Sequence, residues 1–349
     1  MTVEPNRHLY EICHNVPKVE LHCHLFGTIR KNTFLEFNER AGKPFTDKEI
    51  LAFYIRGEKP VGVLRAFRTL DSRLIKYARD LYRLTFEYLE DAKSHNIHYT
   101  EFSWNPTGTV ISSGIPFKDA QRAIADAIEE AHSKLRITGR LICAIDREDS
   151  PERAVQMVDW MIANPDPIHT IGIGIDYRET NRGPQLFFDA YARAKEYGFK
   201  LTAHAGEFET PWQNVQYAVN SLQVDRVDHG YSMLHNPELV QQILKEQKVI
   251  TVVPTNSYYL RTLPRSQWAS KHPIRQMIKL GLKIHPNSDD PTLHDSNSTK
   301  DWMMMVECFG ATIEDLERFS LNGIDGCWAP DESKLQWRED IKDFFKHYK

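Results

Sequence analysis

Eight short runs rich in Val, Ile and Thr are spread along this 349-residue chain, and helix-patterned stretches separate most of them. They are VELHCHL (19–25), IHYTEFSW (97–104), RLICAID (140–146), TIGIGID (170–176), KLTAHAG (200–206), DRVDHG (225–230), VITVVP (249–254) and LKIHPNSDD (282–290). Eight strands alternating with helices leave few architectures open, and the expected one is an α/β fold of the (β/α)8 TIM-barrel type. PERAVQMVDWMIAN, PQLFFDAYARAKEYG and NPELVQQILKEQ read as amphipathic helices entered at Pro or an Asn/Asp cap. The stretch from Lys31 to about His95 is too long for one crossover helix, so a helical lid inserted after the first strand is expected there. No repeat or low-complexity linker divides the chain, which favours a single domain over residues 1–349.

The first run carries an unusual polar face. With period two, Val19, Leu21, Cys23 and Leu25 point to one side while Glu20, His22 and His24 point to the other, and Gly27 follows as a breaker. A His-x-His face suits a barrel strand whose inner side holds a metal; a pair of buried, hydrogen-bonded histidines is the plainer alternative. The other runs decide between them. His204 with Glu207 ends the fifth, Asp228 and His229 end the sixth, and Asp289 with Asp290 ends the eighth. The C-terminal ends of barrel strands form the active-site face, so ionisable groups from four strands are expected at one mouth.

Three neutral imidazoles and one carboxylate, with room for water, make a hydrolytic zinc site. His22, His24 and His204 supply the nitrogens and Asp289 the carboxylate, which can also aim the water, for one zinc ion per chain. His229 is the candidate base or electrostatic stabiliser, with a fourth nitrogen ligand or a contact to Asp228 as its other readings. Glu207, three residues after His204, can hold a proton for the substrate, since partial burial raises a carboxyl above its reference of ~4.3. Other chemistries lack their motifs: there is no G-x-x-x-x-G-K-[ST], no G-x-G-x-x-G, no G-x-S-x-G and no H-x-E…P-C-x-x-C. A net charge of −4 gives no basis for a nucleic-acid or anionic-membrane partner, and no apolar run approaches the ~18 residues of a membrane span. The five scattered cysteines include no Cys-x-x-Cys pair and no secretory leader is apparent, so reduced thiols in the cytoplasm are expected.

PKVELHCHLFGT, HAGE, DHG and NSDDP, in this order and spacing, resemble the adenosine deaminase family of the amidohydrolase superfamily. Each motif is weak alone; the four in order are specific. The resemblance covers most of the chain from Pro17 onward. It implies a (β/α)8 barrel, one zinc ion, and hydrolytic loss of ammonia from C6 of a 6-aminopurine, with water and a small aminopurine as the partners. It further implies zinc ligation by His22, His24, His204 and Asp289, protonation of ring N1 by Glu207, orientation of water by His229 and contact of Asp290 with purine N7.

The departures fall where the rest of the substrate would lie. Family members usually read H-x-H-L-D-G, and in nucleoside-specific ones that carboxylate holds the ribose; here Phe26 stands in its place. The fourth strand usually continues G-I-D-L-A-G, whose last Gly approaches purine N3 through its backbone; here the sequence is GIDYRET, with Glu179 at that Gly. Adenine-specific members share DHG in the sixth strand. Adenine or a modified aminopurine is therefore expected over plain adenosine. Arg30, Arg178 and Arg261 follow the first, fourth and seventh strands and could bind an anionic substituent, or form ordinary loop salt bridges. The alternative activity is another amidohydrolase reaction on an amide, lactone or phosphoester. Two-metal relatives need a carboxylated Lys at a strand end, and neither RLICAIDRED nor TIGIGIDYRE offers one.

Overall fold

The computed structural model describes residues 6–55, 62–255, 259 and 262–348. Eight parallel strands pair in sequence order: β1 (Lys18–Glu20), β2 (Ile97–Trp104), β3 (Thr138–Asp146), β4 (Thr170–Asp176), β5 (Lys200–Ala205), β6 (Arg226–His229), β7 (Ile250–Val252) and β8 (Ile284–Pro286). Past the ends of β8 and β1 the backbone closes the circle. His24 N–H donates to Asp289 O at 2.8 Å and Asp289 N–H to His22 O at 3.0 Å. This is the expected (β/α)8 barrel, and the closure joins two residues expected to bind metal.

The helices between strands start where the sequence marks them. Ser150 accepts from Arg153 N–H and precedes the helix Pro151–Ala163, and Asn236 accepts from Glu238 and Leu239 N–H at the head of Pro237–Glu246. Both satisfy orphan donors of a first helical turn, with Pro at the first helical position. Trp302 and its neighbours Met303 and Met305 are buried on the helix Ser298–Glu307, as an apolar stripe should be.

Two expectations need correcting. The first strand is shorter than the run 19–25: regular pairing ends at Glu20, and Leu25–Thr28 turn as a 3-10 helix. The extended geometry survives between them as isolated bridges, Cys23 with Asp289 and His24 with Ser103, so the alternation of inward and outward side chains persists to His24. The segment 31–95 divides. Ala78–Ser94 is the crossover helix of the barrel, packed on β2 and on the helix Phe117–Leu135; among the described residues the shorter helices Lys31–Arg40, Asp47–Ala52 and Val63–Thr69 and a π-helical turn Leu70–Leu74 precede it. Among the described residues no helix is long and apolar enough to cross a membrane.

Candidate active site

Strand register builds the site. β5 and β6 pair His204 with Asp228 and Ala205 with His229. The closure segment sets His22, His24 and Asp289 against them across the mouth. Donor atoms of His22, His24, His204 and Asp289 all lie within 4.8 Å of one another, and all four residues are buried. Asp289 Oδ1 is 3.2 Å from His22 Nε2 and 3.0 Å from His24 Nε2, while the Nε2 atoms of His24 and His204 are 3.1 Å apart.

The far side of each ring fixes which nitrogen faces that point. His24 Nδ1 lies 3.1 Å from Asp176 Oδ2 and 2.9 Å from Ser103 Oγ. His204 Nδ1 faces Asp228 Oδ2 at 3.4 Å. His22 Nδ1 lies 3.0 Å from Thr251 Oγ1, whose own O–H donates to Asp228 Oδ1 at 2.7 Å, leaving the oxygen to accept from the ring. With the proton on Nδ1 in each ring, three Nε2 lone pairs and a carboxylate converge with no hydrogen between them. That is repulsive unless a cation sits among them, and His22 Nε2 has no hydrogen-bond partner. The field agrees. Burial lowers the proton affinity of His24, yet Asp176 and Asp289 raise it well above the usual imidazole range. Burial would raise the Asp289 carboxyl, but the His22 and His24 imidazoles hold it well below the carboxylate range. Three nitrogens and one oxygen are a donor set for zinc.

Glu207, His229 and Asp289 form a second grouping with donor atoms within 4.8 Å. His229 Nε2 is 3.7 Å from Glu207 Oε2, and neither ring nitrogen of this fully buried histidine has a hydrogen-bond partner. Burial first, then the His22 and His204 rings, push His229 well below the imidazole range, so it is neutral and offers a ring nitrogen that can accept a hydrogen bond. His229 and Asp289 also have positive φ, 66° and 62°, a costly conformation for residues with a Cβ and one that clusters where function demands an orientation.

Asp289, Asp290 and His294 form a third grouping with donor atoms within 4.8 Å, Asp290 Oδ2 standing 3.6 Å from His294 Nε2. Gly27 leaves room for Asp290: a Cβ there would come within 2.0 Å of Asp290 Oδ1 and 2.7 Å of its Cα. Phe26, buried in the turn Leu25–Thr28, meets the Phe67 ring edge to face at 6.0 Å. Phe67 also contacts the rings of His24 at 5.7 Å and Tyr177 at 6.0 Å. Phe67 comes from the segment after β1 and carries no sequence signal beyond its apolarity. Asp176, Asp228 and Thr251, which orient the histidines, are legible only as polar residues near strand ends.

Two of the residues singled out in the sequence, Glu179 and Arg30, are held by protein partners and are not free groups at the mouth. The Glu179 carboxylate is buried and occupied by protein donors rather than open to a ligand. Arg30 is spent on Asp91, Glu90 and the Glu87 carbonyl of the crossover helix. Arg178 is exposed, and Arg261 lies outside the described residues.

A mononuclear metal site at the C-terminal mouth of a (β/α)8 barrel defines a metal-dependent hydrolase. Comparison with known proteins narrows the class. Residues 17–344 match the model of the adenosine deaminase family. The sequence is 30% identical over 334 residues to an adenine deaminase of Vibrio parahaemolyticus, covering 94% of this chain and 96% of the relative. A crystal structure of an amidohydrolase from Burkholderia ambifaria with bound zinc is 53% identical, covers 99% of this chain and 95% of that one, and superposes with a TM-score of 0.96. The adenine deaminase of Arthrobacter aurescens is 26% identical at a TM-score of 0.84, covering 95% and 99% of the two chains. The chain belongs to the adenosine deaminase family. It is a hydrolytic deaminase with a site for a single zinc ion.

Proposed function

We propose that the chain deaminates a 6-aminopurine and prefers adenine, or an aminopurine modified at N6 or C2, to adenosine. The observation that carries the preference is the continuous aromatic surface Phe26–Phe67–Tyr177 beside His24, where a ribose-binding member needs a carboxylate. A ribose hydroxyl buried against such a surface goes unpaired, at ~1–3 kcal/mol each, whereas a flat base or apolar substituent can pack on it. The names of the Vibrio and Arthrobacter relatives agree with this reading.

His22, His24, His204 and Asp289 would hold the zinc ion, which when bound would supply Lewis acidity and make water nucleophilic near neutral pH. In this reading the Asp289 carboxylate would accept a hydrogen bond from the attacking water and orient it toward C6. Neutral His229 takes up or steadies its proton, and its unpartnered nitrogens support the assignment. Glu207 delivers a proton to ring N1, so that charge developing on the ring is neutralised as C6 becomes tetrahedral. Asp290 positions the ring through N7, and the amine departs as ammonia. The helices Lys31–Arg40, Asp47–Ala52 and Val63–Thr69 act as the cover of the mouth within one hydrolase domain, supported by the contact of Phe67 with His24. A cytoplasmic place in purine metabolism fits the five unpaired thiols.

The test is ammonia release from adenine, adenosine, N6-methyladenine and 2-substituted adenines, measured for the parent and for Phe26→Asp. The parent should show a higher kcat/KM for a free base than for adenosine, and Phe26→Asp should narrow the gap. Efficient turnover of adenosine by the parent, unchanged in Phe26→Asp, would refute the specificity argument.

A further inference from the structure

The Glu179 carboxylate follows β4 and is 1% exposed, yet its partners among the described residues are N–H and O–H groups and none is a cation. The Gly206 N–H lies 3.0 Å from both oxygens, and the Glu207 N–H lies 3.1 Å from Oε2. Thr210 Oγ1 donates to Oε2 and Asn214 Nδ2 to Oε1, each at 2.8 Å. One buried anion thus gathers two successive backbone amides and two side chains of the segment after β5. That segment needs gathering. Gly206 has φ +78° and is so crowded that a Cβ would lie 2.6 Å from Ser232 Oγ, and Glu209 is also left-handed at φ 51°. A chain reversing through left-handed residues is not held by strand pairing, which ends at Ala205.

We propose that Glu179 is a positioning residue that fixes Glu207 through its backbone and so sets where the Glu207 carboxyl stands relative to His229. The inference rests on the reading of Glu207 as the proton-bearing group. Charge-assisted acceptance by a carboxylate is stronger and shorter than neutral hydrogen bonding, so one side chain can hold the peptide of a residue whose own side chain is directed to the reaction. It also accounts for the Glu in GIDYRET: the carboxylate serves the neighbouring strand end and not the ligand. A misplacement of about 1 Å at a reacting group costs on the order of 10²-fold in rate, which sets the scale of the effect.

The experiment uses the full-length zinc enzyme and Glu179→Gln, in which one acceptor oxygen becomes an amide NH2 turned toward other donors. Three measurements are made: zinc content, hydrogen–deuterium exchange of the peptide spanning residues 205–212, and kcat and KM with adenine. Glu179→Gln should keep one zinc per chain, exchange faster at Gly206 and Glu207, lose on the order of 10²-fold in kcat and hold KM within a few fold. Thr210→Val, which removes one donor and leaves the carboxylate, should move exchange and kcat the same way by less; it decides the matter if Glu179→Gln does not fold. Unchanged exchange at Gly206 and Glu207 overturns the clamp whatever the substrate is. So does faster exchange with unchanged kcat, a rise in KM alone, or a fall in kcat that only tracks lost zinc. Glu207→Gln with a normal kcat would instead overturn the role of Glu207, and the exchange result would still judge the clamp.

Discussion

Replacing Asp228 by Asn tests whether the residues behind the histidines set the metal affinity. The carboxylate is buried and takes Thr202 Oγ1 at 2.8 Å and Thr251 Oγ1 at 2.7 Å, and it faces His204 Nδ1 at 3.4 Å and His22 Nδ1 at 3.8 Å. Burial would raise its proton affinity, but the hydrogen bond with His204 and the charges of His22, His204 and Arg226 hold it far below the carboxylate range. It is therefore an anion that keeps two imidazoles protonated on Nδ1. In Asn, one oxygen becomes an NH2, and a donor then faces either a threonine O–H or the His204 ring. The relief available to His204 is to move its proton to Nε2, the nitrogen that must bind zinc. Losing such an outer partner costs ~10–100-fold in metal affinity, equivalent to ~1.4–2.7 kcal/mol. The same difference must reappear as stability, because an ion that binds only the native state stabilises it in proportion to the logarithm of its affinity. Zinc affinity from chelator competition and unfolding midpoints with and without zinc are the assays. The gap between the two midpoints should shrink by a few degrees in Asp228→Asn. A zinc affinity within twofold of the parent, with normal turnover, would show that Asp228 does not govern the ligand tautomers.

His24→Ala should bind well under one zinc per chain and lose turnover, since it removes one of four donors; metal analysis showing full occupancy with normal activity would contradict the ligand set. Glu207→Gln should retain zinc and fold while kcat drops ~10²–10⁴-fold, the usual worth of a general acid–base group, and a metal-free protein or a near-normal rate would contradict it. Asp71, buried beside Arg68, Asp146 and Asp176, is pushed up to about 7 by burial. An acid bound more tightly in the folded state is most stabilising below its unfolded pKa of ~3.9, and that contribution is lost as pH climbs to about 7, at ~1.4 kcal/mol per pH unit. Asp71→Asn should therefore raise the unfolding midpoint more at pH 8 than at pH 5, and an equal shift at both would refute the linkage.

Sequence reading succeeded wherever strand register dictates the partner. His204, Asp228 and His229 sit on two adjacent paired strands, and Asp289 lies where the barrel must close on His22 and His24, so naming the strands was nearly enough to assemble the site. The shortness of β1 did no harm, because isolated bridges preserved the alternation through His24. Reading failed where the partner is set by loop geometry. For Arg30 the sequence leaves an anionic substituent and an ordinary salt bridge both open, and the guanidinium turns to Asp91, on a helix that begins 48 positions later. Phe67 touches His24 from within an insertion whose path no periodicity announces.

Glu179 shows how such a failure arises. A carboxylate standing in place of a substrate-approaching glycine suggests a substrate contact when only the linear motif is seen, because the motif fixes position along the chain and not direction. Direction depends on competition for the charge. Gly206 and Glu207 present amide N–H groups that the turn after β5 leaves without strand partners, and burying them unpaired would cost ~1–3 kcal/mol each. A carboxylate already close to those donors gains more by joining them than by facing a neutral, electron-rich purine edge that offers few hydrogens. The same argument reaches Phe26. With no charge to satisfy, its ring settles against Phe67, and the two aromatic groups occupy space that a ribose-binding carboxylate would have kept polar. Under the proposed specificity, Phe26 alone of these two positions would read the substrate, while Glu179 serves the turn after β5.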